Sequence, residues 1–122
     1  MLYFFAAFSI VFHVWAFVME SILFMRPAVY RVFGLRSLEE AKTVKLIAFN
    51  QGFYNLFLAL VLLAGLYLIH DATQIILGTG LAIGAAFCMT GAGMILIISK
   101  PDAWYAGLIQ AIPPLIVILT LL

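Results

Sequence analysis

The sequence predicts an all-α membrane protein, a single domain of four transmembrane helices in a bundle. Three observations carry this. First, 67% of the 122 residues are hydrophobic and only 9% are charged, with a mean hydropathy of +1.25. A soluble domain of this size has too little interior to hide that much apolar surface. Second, runs long enough to cross a bilayer recur over about residues 2–25, 38–69, 74–99 and 103–122. Third, the basic residues are confined to two of the three connections. Arg26, Arg31, Arg36, Lys42 and Lys45 flank the first, Lys100 lies in the third, and the second has none. This asymmetry predicts a multi-pass protein of the cell inner membrane, with loops 26–37 and 100–102 cytoplasmic and both termini outside.

The first helix, Leu2 to Met25, carries Ser9, His13 and Glu20 on one stripe at 100° per residue. Lipid penalises polar groups, so this stripe is expected to face protein. No signal peptide is expected, because a basic leading segment is missing and the apolar run is too long. Pro27 restricts Arg26 and ends the helix. The following loop mixes Tyr30 and Phe33 with arginines, a composition suited to the headgroup region. The run Ser37-Leu38-Glu39-Glu40 reads as a capping box opening the second helix. That helix starts in water and spans roughly 45–50 Å to Ile69. The third helix, 74–99, has a small-residue face of Gly80, Gly84, Cys88 and Ala92, which suits a close neighbour or a second copy of the chain. Asp102 is placed as the N-cap of the fourth helix. In that helix Pro113 and Pro114 cannot donate to the carbonyls of Ile109 and Gln110, so a kink is expected.

The second helix holds the most informative stretch, Asn50-Gln51-Gly52-Phe53-Tyr54-Asn55. Three carboxamides lie within an otherwise apolar run. Each unpaired amide costs roughly 1–3 kcal/mol away from water, so partners are required. Glu20 is six residues before Arg26, Gln51 six past Lys45, and Gln110 six past Trp104. Each is therefore roughly 9 Å inside the same membrane edge. Asn50 adjoins this layer and Asn55 lies one turn deeper. Burial of Glu20 favours the neutral acid, whereas amide donors favour the anion. An intramembrane glutamate facing carboxamides is a site by default. The candidate ligand-binding residues are Glu20, Asn50, Gln51, Asn55, Gln110, His13 and Tyr54; no catalytic residue is assigned. The structural alternative is that these residues only tie helices together, at roughly 0.6–2 kcal/mol per hydrogen bond.

The composition excludes several classes. A net charge of +1 gives no nucleic-acid signature, and a single cysteine excludes an internal disulfide or a cysteine metal cage. His13 and Glu20 are two turns apart and His70 is in a connection, so no metal site is expected. No cofactor motif is present.

Glu20, the Asn50-Gln51-Gly52 and Tyr54-Asn55 positions and Gln110 resemble those of the small bacterial four-helix membrane proteins of domain-of-unknown-function family 1304. The resemblance covers nearly the whole chain and implies the four-helix fold and the polar site, but no activity. Size, helix number and the carboxylate of the first helix are also similar, by analogy only, to the small multidrug resistance transporters; the box of the second helix is foreign to that family. The first functional reading is binding or transport of a small amphiphilic or cationic molecule at Glu20. The second is an intramembrane enzyme for a lipid-like or isoprenoid substrate, with Glu20 as acid or base. The third is a structural or accessory membrane subunit. The partners expected are the bilayer and a second copy of the chain.

Overall fold

The computed structural model describes residues 1–122 and contains helices and no strands. Its elements are α1 (Leu2–Phe17), continued by a π-helical turn (Val18–Ile22), α2 (Pro27–Tyr30), α3 (Leu38–Leu68), α4 (Ile75–Ser99), a 3-10 turn (Pro101–Ala103) and α5 (Trp104–Leu121). Four segments are long and apolar enough to cross a membrane: Leu2–Ile22, Leu38–Leu68, Ile75–Ser99 and Pro101–Leu121. The chain divides into two compact units, one of residues 13–57 and one of residues 1–12 with 58–122.

In the larger unit, α4 is held to its neighbours through paired glycines. A Cβ on Gly65 of α3 would lie 2.6 Å from the Ala82 amide and 2.8 Å from the Gly78 carbonyl. A Cβ on Gly93 would lie 2.7 Å from both the Ala111 amide and the Gly107 carbonyl of α5. Backbone therefore meets backbone at two points along α4, as small residues permit in membranes. The buried face of α4 is Gly78, Ala82, Ala85, Ala86, Met89, Thr90 and Gly93. Within the chain, this is not the face expected from sequence to meet a neighbouring helix. Gly80 and Gly84 have nothing within 4 Å of an added Cβ, and Cys88 is exposed. Both stripes are small and spaced alike, but only the Gly78–Gly93 stripe meets glycines on neighbouring helices. The core beside it joins Ala6, Leu62, Leu66, Met89 and Val117. Thr90 donates to the Ala111 carbonyl at 3.4 Å.

Helix α5 stays helical through Pro113 and Pro114, and both prolines are buried. Asp102 does not cap it: Pro101 opens a 3-10 turn, and α5 begins at Trp104 with no side-chain cap. At the opposite end of the unit Tyr3 stacks on His70 with centroids 5.9 Å apart.

In the smaller unit, α1 gives way to the π-turn, closed by the Leu23 amide on the Val18 carbonyl at 2.9 Å. Helical structure thus ends at Ile22 rather than the expected Met25, and Arg26 is extended ahead of Pro27 (φ −76°, ψ 134°). After α2 the chain reverses in a Schellman motif. The Leu35 amide reaches the Tyr30 carbonyl (3.1 Å) and the Gly34 amide reaches the Arg31 carbonyl (3.0 Å). Gly34 has φ 87°, the left-handed geometry this motif requires. Tyr30 is buried with Phe24 and Ala41, not laid on the surface as its composition suggested. The start of α3 is capped by Ser37, whose oxygen accepts from the Glu40 amide at 3.2 Å. The reciprocal arm differs from the expected box: the Glu40 carboxylate accepts from the Arg36 amide at 2.8 Å, one residue earlier, where the chain leaves the Schellman turn.

Candidate functional site: the Glu20–Asn55 contact and its cleft

The π-turn places Glu20 and Ser21 side by side against α3. A wide turn of this kind inserts into a helix and re-aims the side chains it carries. Ser21 donates its hydroxyl to the Phe49 carbonyl at 2.8 Å. Directly below, Gly52 is buried, and a Cβ there would collide with Ser21 Oγ and come within 3.1 Å of Glu20 Cβ and the Ser21 amide. The glycine of the Asn-Gln-Gly stretch is thus a docking notch for the π-turn. That contact delivers Glu20 to the next turn of α3, where Asn55 Nδ2 donates to Glu20 Oε2 at 2.8 Å. Asn55 Nδ2 also donates to the Gln51 carbonyl at 3.2 Å, which fixes its rotamer. Phe17 meets Phe53 edge-on, with centroids 5.1 Å apart, on the same pair of segments.

Glu20 is half-buried and opens onto a cleft of about 230 Å³. Gln51 is its second polar lining residue, and the walls are Phe24, Phe33, Leu35, Val44, Ile47 and Ala48. Phe33 and Leu35 come from the Schellman turn, so Gly34 sets one wall. The chemistry on offer is one carboxylate, already holding one amide donor, and one carboxamide at the end of an apolar trough. Such a trough suits a molecule with an apolar body and a small donor or cationic end.

Of the residues singled out from sequence, Glu20, Asn55 and Gln51 converge here. Asn50 and Tyr54 do not line the cleft, and both are exposed on α3. His13 is fully buried two turns earlier on α1. Gln110 is half-buried on α5, in the other compact unit. Sequence reading missed Ser21, the role of Gly52, and the loop walls Phe33 and Leu35. A serine beside an intramembrane glutamate, with a glycine in the facing box, was the available signal for the first two. The loop walls had none, because they depend on how the reversal at Gly34 folds back.

The fold defines a small all-helical, multi-pass membrane protein, and a carboxylate–carboxamide contact joins its first two membrane segments. The chain belongs to the family described as "Protein of unknown function (DUF1304)", whose model matches residues 7–122 and so includes the whole site. Neither the curated proteins nor the solved structures give a match.

Proposed function

We propose that the cleft binds a small amphiphile whose donor-bearing or cationic end meets Glu20 and whose apolar body lies along Phe24, Phe33, Leu35 and Val44. The supporting observation is that Glu20, held on one oxygen by Asn55, also lines an open cleft that is apolar apart from Glu20 and Gln51. A residue serving only to tie helices has no need of such an opening. The enzyme reading gains no comparable support: the hydroxyl of Ser21, the residue after Glu20, is engaged with the Phe49 carbonyl.

The probe for this reading is radiolabelled decylamine, cationic at neutral pH, with the protein in phosphatidylcholine nanodiscs. Glu20→Gln and Val44→Trp, which fills the cleft and leaves Glu20 in place, should each weaken saturable binding at least tenfold. Binding to the unaltered protein should weaken as pH falls, because protons compete for the carboxylate. Equal binding by all three proteins would refute the proposal.

The distribution of Arg and Lys supports an orientation with the first and third connections cytoplasmic and both termini outside. In a Cys88→Ser background, Asp71→Cys should react with an impermeant thiol reagent in intact cells. Reaction only after permeabilisation would invert the topology.

A further inference from the structure

The lipid-facing surfaces of α1, α4 and α5 present apolar side chains such as Val11, Val14, Phe87, Ile95, Ile112 and Leu119. Helix α3 is different. Thr43, Ile47, Asn50, Tyr54 and Phe57 are all exposed, at alternating spacings of four and three residues. That is the heptad seam along which two helices pack with left-handed crossing. Two members of the seam are strongly polar and have no hydrogen-bond partner within the chain. Asn50 is five residues and Tyr54 nine residues beyond Lys45, so roughly 7 and 13 Å further along the helix axis. In lipid these groups find neither water nor a lipid acceptor of equal quality, and their exposure is costly unless another protein surface covers them.

We propose that this seam is the interface of a homodimer, in which α3 packs in parallel against α3 of a second copy about a two-fold axis. The argument for a second copy, rather than another partner, is chemical and geometric. A carboxamide carries both donors and acceptors, so Asn50 is complementary to itself. Two copies inserted with the same orientation place identical positions of α3 at the same depth. A two-fold interface then brings Asn50 to Asn50 of the partner subunit, with both amides satisfied reciprocally. A polar asparagine on a heptad seam also fixes register and pairing. The alternative face on α4, Gly80–Gly84–Cys88, is open but has no polar group in need of a partner. Ile47 belongs both to the seam and to the cleft wall, but the dimer does not rest on the ligand reading, since Asn50 and Tyr54, which carry it, lie outside the cleft.

The test is disulfide trapping in phosphatidylcholine vesicles, together with energy-transfer measurement of the dimer at increasing lipid dilution. In a Cys88→Ser background, Ile47→Cys and Tyr54→Cys should crosslink, while Leu46→Cys, equally exposed but off the seam, should not. Asn50→Leu should raise the dimer dissociation constant about 3- to 30-fold, the range for membrane interhelical hydrogen bonds. The proposal is overturned by a monomer at every dilution or by crosslinking at Leu46 equal to that at Ile47. It is also overturned by a dimer trapped through native Cys88 that Asn50→Leu leaves unchanged.

Discussion

Replacing Gly52 by alanine puts the docking of the π-turn to a quantitative test. On an exposed helix the change stabilises by about 1 kcal/mol through helix propensity. Here the new Cβ collides with Ser21 Oγ. The serine can rotate away only by giving up its bond to the Phe49 carbonyl, at a cost of roughly 0.6–2 kcal/mol in a membrane. Rotation does not clear the site, because Glu20 Cβ and the Ser21 amide remain 3.1 Å from the new carbon. Neither can move without shifting the turn, and overpacking of this kind costs about 1–3 kcal/mol. The net expectation is destabilisation by about 2 kcal/mol. The assay is reversible unfolding in mixed micelles, run as a double-mutant cycle with Ser21→Ala. Ser21→Ala removes both the hydrogen bond and the obstructing oxygen. The double variant should therefore be more stable than the sum of the single changes predicts, by about 0.6–2 kcal/mol. If Gly52→Ala proves more stable than the unaltered protein, or if the two changes add, then Gly52 is not a notch for Ser21.

Four further substitutions test other parts of the structure. Gly93→Ala should destabilise by about 2 kcal/mol or more, because its Cβ meets the backbone of Ala111 and Gly107. Gly80→Ala, with open space around it, should be neutral or up to about 1 kcal/mol stabilising; equal effects in thermal unfolding would contradict the assignment of the packed face. Gly34→Ala forces an L residue to φ 87°, at about 1–2 kcal/mol. It should also weaken decylamine binding, because Phe33 and Leu35 form a cleft wall. Unaltered binding in titrations would show that the wall does not depend on the turn. Finally, the Thr73 hydroxyl (2.7 Å) and amide (2.9 Å) donate to Asp71 Oδ1 and hold its carboxyl below the ordinary carboxylate range. A lowered native pKa stabilises the fold above the unfolded value, about 3.9, and that contribution is lost as pH falls through the native pKa. Thr73→Val should raise the Asp71 pKa, measurable by carboxyl NMR titration, while the retained amide bond keeps it from full relaxation.

The fold class was legible because hydropathy and charge placement act over twenty residues at a time, and no local detail disturbs them. That Glu20 faces carboxamides of the second helix was legible for a similar reason, since few polar groups lie near that depth. The partner itself was not: counting from the membrane edge set Gln51 and Gln110 level with Glu20 and Asn55 one turn deeper, yet Asn55 is the donor. What escaped reading depends on geometry that no period reveals. The π-turn breaks the 100° register after Val18, which turns Ser21 as well as Glu20 toward α3. The packed face of α4 was misplaced because two small-residue stripes have equal claims in sequence, and only Gly65 and Gly107 on other helices decide between them. Tyr30 was assigned to the surface on composition, but the reversal at Gly34 folds it over Ala41, a position with no exposed area.

The core that contains both Ala6 and Val117 has a consequence for biosynthesis. These residues leave the ribosome more than a hundred positions apart, so the first membrane segment is inserted long before the last exists. Contacts local in sequence form early and distant ones late. The α4–α5 pair, joined by a short connection and locked at Gly93 and Gly107, can assemble as soon as it is made. The first turns of α1 must wait for it. During that interval Ser9 and the faces of Ala6 and Leu62 are exposed to lipid or to the insertion machinery. Nascent chains truncated before α5 should therefore be held by an insertase or degraded, and release should coincide with synthesis of the final helix.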